Sequence, residues 1–256
     1  MSIHMIVLKT IGVVGGMGPD AGIDLAQKIT QETIASRDQD HLPMILISSP
    51  HLIEDRTKYL DNPNLENPGR SIAKIVVQLA QAGADVVGIP CNTAHSPMIW
   101  NEMKKNLDQR KINIPILHLV QETATYFSSF KPAVSKVGLL STLGTYQSEI
   151  YPSTLKRFGM DVIEPEADEK DKIHAAIYDL NYGIKAKPVT ERARNTLLDI
   201  SHHLVEKGAQ AIIMGCTEIP LALDQSDCEP IPLIDPTRIL ARALIREACP
   251  EKLCSL

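Results

Sequence analysis

Cys91 and Cys216 lie in stretches that repeat each other without a gap, Gly83-Ala-Asp-Val-Val-Gly-Ile-Pro-Cys-Asn-Thr93 and Gly208-Ala-Gln-Ala-Ile-Ile-Met-Gly-Cys-Thr-Glu218. Each thiol ends an apolar run and precedes polar residues. Two such groups facing one carbon could invert it: one removes a proton from one face and the other delivers a proton to the opposite face. A thiol titrates near 8.5, close enough to neutrality to serve as base or acid. An amino acid held between the two thiols would exchange its Cα proton. Asn92, Thr93 and Thr217, with nearby backbone amides, could hold its α-carboxylate and stabilise charge as the proton leaves. A helix N-terminus behind each cysteine, expected here with Asn92 or Thr93 as the first N-cap, would favour the thiolate.

Other readings of these residues stand beside this one. Two cysteines could form a disulfide, although an odd count of five in a chain of 256 residues favours free thiols and a reducing, cytoplasmic setting. A metal site would need more ligands; His95 and His118 are available, but no tight Cys-x-x-Cys or His-x-x-x-His spacing occurs. Free cysteines also serve as small buried hydrophobes. Gly16-Met17-Gly18-Pro19-Asp20-Ala21 fits a dinucleotide-binding turn formally, yet the second strand ends Ile47-Ser48-Ser49 with no acid to hold a ribose. The glycines read instead as a turn bringing backbone, and Met17 with it, close to a small substrate. Thr142 and Thr145, at the matching place in the second half, either bind substrate or cap the next helix. No cofactor is expected.

The elements that must carry these residues alternate strand and helix. Met5–Val14, Pro43–Ser49, Asp85–Pro90 and Ile114–Leu117 read as strands, as do Lys136–Leu140, Asp161–Ile163, Ala211–Met214 and Ile231–Ile234. Helices are expected at Asp20–Ala35, Ser71–Ala82, Ala94–Leu107 and, following the strand that ends at Leu117, through Phe130. Further helices are expected at Tyr146–Phe158, Asp168–Leu180, Val189–Lys207 and Thr237–Ala248. The segment 50–69 reads as a long polar loop, a length more often functional than idle. Alternation of this kind means parallel sheets with helices on both faces. The order repeats: Ile11-Gly12-Val13-Val14 echoes Val137-Gly138-Leu139-Leu140, the cysteine stretches follow, and Ile114-Pro115-Ile116-Leu117 echoes Ile231-Pro232-Leu233-Ile234. Ligands of such sheets bind beyond the strand carboxyl ends, so two facing units would present both thiols to one cleft.

Composition narrows the partners. The chain is 44% apolar and 22% charged, as expected for a packed domain, with a formal charge of −5. It lacks the basic footprint and aromatic platforms of a nucleic-acid binder. No run of about 18 apolar residues exists to span a membrane. Met1–Thr10 offers no small-residue cleavage site, so no signal peptide is expected. Cys228, Cys249 and Cys254 read as incidental, and the acidic run 164–171 as a solvated approach to a helix.

The motifs Pro-Cys91-Asn92-Thr93-Ala94-His95 and Gly-Cys216-Thr217-Glu218, with Gly15-Gly16-Met17-Gly18-Pro19, resemble the aspartate/glutamate racemase family over nearly the whole chain. That resemblance implies cofactor-independent racemisation by Cys91 and Cys216. It also implies two pseudo-symmetric Rossmann-like domains with the site between them, and a homodimer. The domain boundaries expected are 1–114 plus 235–256 for the first unit and 115–234 for the second. The resemblance is nearest to aspartate racemases. Glu54-Asp55-Arg56-Thr57 is similar to a loop whose arginine binds the substrate's side-chain carboxylate, and Tyr182-Gly183-Ile184-Lys185 to a segment carrying a second cation, with Lys187 nearby. Without the resemblance, Arg56 would read as a solvated surface charge. Ala94, Met17 and Thr142 fall among the substrate-contacting positions. The family's glutamate racemases carry His where this chain has Glu218, and an Asp-Ser turn where it has Gly15-Gly16. A small acidic amino acid is therefore the expected substrate. The rivals are a broad-specificity or glutamate racemase, a related isomerase or decarboxylase using one thiol as nucleophile, and a non-catalytic sensor of acidic metabolites.

Overall fold

The computed structural model describes residues 8–130, 133–186 and 188–255. The expected start of the first strand, Met5–Val7, and Lys187 lie outside these residues. The first half runs β1 (Ile11–Gly15), α1 (Pro19–Gln31), β2 (Met44–Ser48), α2 (Arg56–Asp61), α3 (Pro68–Gln81), β3 (Val86–Gly88), α4 (Pro97–Gln109), β4 (Ile116–Leu117) and α5 (Leu119–Phe127). The second runs β5 (Lys136–Leu140), α6 (Leu143–Gln147), α7 (Ile150–Lys156), β6 (Asp161–Ile163), α8 (Ala167–Tyr178), α9 (Glu191–Glu206), β7 (Ile212–Met214), β8 (Leu233–Ile234) and α10 (Pro236–Ala248).

The strands form two four-stranded parallel sheets, ordered β2-β1-β3-β4 and β6-β5-β7-β8. Replacing each strand of the first sheet by the one four places later gives the second, so the echoes in the sequence are equivalent strands of two Rossmann-like units. In this order the chain leaves β1 toward one edge and returns to β3 on the other side. The crevice beyond the carboxyl ends of β1 and β3 is the switch point where such sheets bind ligands. Gly15–Gly18 and Cys91 follow those two strands, and Ser141-Thr142 and Cys216 follow β5 and β7. Gly16 turns at φ +99°, and a Cβ there would lie 2.9 Å from the Pro50 nitrogen, so the turn demands glycine.

Several boundaries differ from the expected ones. The polar loop at 50–69 contains α2, whose N-cap Asp55 accepts from the Lys58 amide at 3.0 Å. The next helix starts at Pro68, three residues before the expected Ser71, capped by Asn67. The helix expected across 146–158 is broken at Glu149, which sits in the left-handed region at φ 49°. Behind Cys91 there is only a 3-10 turn, Thr93–His95, because Pro97 forces Ser96 to be extended before α4 begins. Behind Cys216 there is likewise a 3-10 turn, Ile219–Leu221, with Pro220 inside it. The α-helix N-termini expected directly behind the thiols are therefore absent. β4 pairs with β3, so the first sheet runs past residue 114, where the first unit was expected to end.

One apolar core runs through both halves, joining Ile11, Val13 and Leu25 to Val137, Leu139, Tyr151 and Ile213, with Leu240 and Leu244 of α10. The last helix crosses back to pack on α1, α5 and β3. A buried triad fastens it: Lys28 on α1 bonds Asp24 at 2.5 Å and Asp235 at 2.6 Å, while Asp235 caps α10 through the Thr237 amide at 2.8 Å. Burial pushes the Asp24 carboxyl up, against the pull of Lys28. Lys28→Met would leave the buried Asp235 and the half-buried Asp24 carboxylates without their cation. The expected cost is about 3–5 kcal/mol in urea unfolding; a loss under ~1 kcal/mol would mean that water satisfies the triad.

Candidate active site

Cys91 is 5% exposed and packs in the apolar cluster of the first half. The loop that carries it is held from behind by His95. His95 Nδ1 lies 2.8 Å from the Cys91 carbonyl, and its Nε2 lies 3.3 Å from the Leu119 amide. A carbonyl only accepts and an amide only donates, so the ring is neutral with its proton on Nδ1. Burial, with His118 adding a smaller push, lowers the His95 pKa to about 3, and burial lowers His118 to about 4. Trp100 stacks on His95 at 5.0 Å. His95 is thus a strut under the Cys91 loop, not a charged partner of the thiol.

Arg56, the first residue of α2, is only 8% exposed. Its Nη1 donates to the Glu54 carbonyl at 3.4 Å, and its Nε has no partner among the described residues. Burial opposes the charge, but Cys91, Tyr178 and Asp55 more than offset it and hold the guanidinium ionised. Arg56, expected from the resemblance to bind substrate and without it to be solvated, is a buried cation facing one thiol. Asn92 accepts from the Tyr151 hydroxyl at 2.6 Å, and its buried Nδ2 has no partner among the described residues. Thr93 Oγ1 lies 2.9 Å from Thr145 Oγ1 and 3.4 Å from Thr142 Oγ1. These contacts tie the first half's cysteine loop to α6 and α7 of the second.

Cys216, 7% exposed, meets the opposite surroundings. Its Sγ donates to Glu218 Oε2 at 3.0 Å. Burial and the Glu218 anion push this thiol well up, and Lys185 only partly reverses that. The thiolate expected from a helix N-terminus is replaced here by a protonated thiol. Glu218 is 4% exposed. Its Oε2 also lies 3.4 Å from Thr217 Oγ1, while its Oε1 accepts from the Gly18 amide at 3.2 Å and from Lys185 Nζ. Burial would raise its pKa, but Lys185, Cys216 and Gly18 together lower it. Lys185, on the 3-10 turn Ile184–Ala186, also sits 5.2 Å from the centre of the Tyr178 ring. The Tyr178 hydroxyl in turn lies 3.3 Å from Asp55.

The fold thus connects Cys91 to Arg56, and Cys216 to Glu218 and Lys185, with Asn92, Thr93, Thr142 and Thr217 beside them. Met17 and Ala94 pack by their side chains in the first half's apolar cluster, the same cluster that holds Cys91. Glu218, Asp55, Tyr151 and Tyr178 complete the network without having been expected in it. Glu218 had a signal, its place two residues after the second cysteine; the tyrosines sit at ordinary helical spacing and had none. Cys91 and Cys216 are both free thiols, and among the described residues no three His, Cys, Asp or Glu side chains gather as a metal site. No helix among them is long and apolar enough to cross a membrane.

Comparison with known proteins agrees with this architecture. The profile of the Asp/Glu/Hydantoin racemase family matches residues 14–244. The broad specificity amino-acid racemase RacX of Bacillus subtilis is 31% identical over 243 residues, covering 92% of this chain and 96% of RacX. The aspartate racemase of Picrophilus torridus superposes with a TM-score of 0.77 at 29% identity, covering 96% of each chain. PH1733, an aspartate racemase homologue from Pyrococcus horikoshii, does so at 0.70 and 26%, covering 94% of this chain and 99% of its own. The chain belongs to the Asp/Glu/Hydantoin racemase family and is an isomerase of that type.

The histidine strut carries a pH signature. An unfolded histidine titrates near 6.5 and folded His95 near 3, so between these values the unfolded state binds more protons. His95's contribution is at its full value above pH 6.5, and stability falls as pH drops, by up to about 1.4 kcal/mol per pH unit. In urea unfolding at pH 7, 5.5 and 4.5, His95→Gln should be less stable at pH 7 yet lose less on acidification. An unchanged slope in the variant would remove His95 as the cause.

Proposed function

We propose that this chain racemises an acidic amino acid, aspartate fitting best, with Cys91 and Cys216 as the two proton-transfer groups and no pyridoxal cofactor. The observation that carries this is the opposition of charges: a buried cation faces one strand-end thiol and a buried anion faces the other. Opposite charges beside the two thiols suit one to take a proton and the other to give one. Cys91, which faces the Arg56 cation, takes the Cα proton. Cys216, kept protonated by burial and Glu218, delivers its proton to the opposite face. The Cα–H electron pair passes into the α-carboxylate system and returns to form the new Cα–H bond. The turnover leaves Cys91 protonated and Cys216 as thiolate, ready for the other enantiomer.

Unpartnered donors in the cleft support a carboxylate ligand. Arg56 Nε and Asn92 Nδ2 are buried with no protein acceptor, an arrangement costing about 1–3 kcal/mol per group unless a ligand repays it. Thr93 and Thr217 offer hydroxyls beside them. Arg56 can take a carboxylate by two parallel bonds, and Lys185 is the second cation in reach of the thiols. Both thiols are nearly closed off from solvent. The Picrophilus aspartate racemase supports the acidic substrate. RacX, together with the neutralisation of Lys185 by Glu218, favours a broader range as the second reading.

Incubation with L-aspartate in deuterated water should give Cα deuterium incorporation together with loss of optical activity. Cys91→Ala and Cys216→Ala should each lower racemisation by about 10²–10⁴-fold, the usual worth of a positioned acid or base. Racemisation has an equilibrium constant of one, so kcat/KM must fall equally from both enantiomers. No exchange with aspartate or glutamate would falsify the acidic reading, and near-normal turnover in either variant would end the two-thiol mechanism.

A further inference from the structure

The two-thiol reaction requires no carboxylate from the protein, yet Glu218 is among the most heavily bonded groups in the cleft. Its place follows from the internal repeat. The residue two beyond each cysteine reaches across to the turn after the first strand of the other half. Thr93 meets Thr142 and Thr145, and Glu218 meets Gly18. One cross-contact is made of neutral hydroxyls, while the other puts a buried anion, paired with half-buried Lys185, on a backbone amide. A Cβ at Gly18 would stand 3.0 Å from Glu218 Oε1 and 3.4 Å from Lys185 Nζ, so glycine lets the ion pair seat against the backbone.

A lysine ammonium and a backbone amide converging on one carboxylate oxygen make a carboxylate-binding site by their chemistry. Here the protein fills it with its own side chain. We propose that Glu218 is a specificity-determining residue, holding on Lys185 and the Gly18 amide the position of a substrate side-chain carboxylate. An acidic side chain gains Lys185 only by exchanging with Glu218, whereas an uncharged side chain leaves the pair intact. Glu218 therefore flattens the preference for acidic over uncharged amino acids. This rests on the racemase reading above and deepens it, since it says which residue sets the breadth of substrates.

The test is a ratio, which cancels any common loss from disturbing the Cys216 hydrogen bond. Rates of Cα deuterium exchange are measured for L-aspartate and L-serine with the wild-type protein, Glu218→Gln and Lys185→Met. In Glu218→Gln the aspartate-to-serine ratio of kcat/KM should rise about tenfold or more, the worth of one charge-assisted hydrogen bond released to the ligand. In Lys185→Met, where Glu218 is left as an unpaired anion, the ratio should fall below that of the wild type. An unchanged or lower ratio in Glu218→Gln overturns the proposal and leaves Glu218 as a holder of the Cys216 thiol. If that variant turns over neither substrate, calorimetry decides. Succinate should bind Glu218→Gln about tenfold more tightly than wild type with butyrate unchanged, and equal succinate affinity overturns the proposal. Failure of the racemase reading looks different: the wild-type protein would exchange no amino acid's Cα proton, whatever the succinate result.

Discussion

A charge taken out of water has to be answered inside the protein, and this cleft contains two buried charged side chains, Arg56 and Glu218. Arg56 is answered by Cys91, Tyr178 and Asp55, and Glu218 by Lys185, Gly18 and the Cys216 thiol. One partner of each comes from the other half, Tyr178 for Arg56 and Gly18 for Glu218. The same low-dielectric setting that makes an unpaired charge costly also makes each pairing strong. Cys216 shows the consequence, because its burial and the Glu218 anion beside it hold the thiol protonated.

The internal repeat supplies the geometry for this. Equal strand order in the two sheets places two switch points, and with them two cysteines, at equivalent places. A perfectly symmetric pair of halves would surround both thiols alike and hold a chiral amino acid in two orientations equally well. The departures from symmetry fall at the functional positions: Asn92-Thr93 against Thr217-Glu218, and a glycine turn against a Ser-Thr turn. The buried Lys28–Asp24–Asp235 triad and the common apolar core join the halves behind the cleft.

Much of this was legible in residue order. The strands β1, β2, β5 and β6 follow from apolar and β-branched runs close to where they were expected, and the echo of Ile114–Leu117 in Ile231–Ile234 marks the equivalent strands β4 and β8. The cysteines, Asn92, Thr93 and Thr217 follow from the repeat and from the positions of strand ends. Arg56 and Lys185 came from likeness to a family, since nothing local separates a buried arginine from a solvated one. The helices expected behind the thiols fail for a local reason that is visible in the sequence: Pro97 and Pro220 cut both short.

Other features depend on distance along the chain. Tyr151 reaching Asn92, Tyr178 reaching Asp55 and Gly18 reaching Glu218 join residues 59, 123 and 200 positions apart, and no periodicity encodes such meetings. The sequence by itself determined the two α/β units, their repeat, and a thiol at the end of each third strand, because hydrophobic period and strand-end position are local properties. Tertiary structure alone decided that Cys91 faces a cation, that Cys216 is held by an anion, and that Lys185 is already paired. Protonation depends on burial and on the charges packed nearby, and those are settled only when distant segments meet.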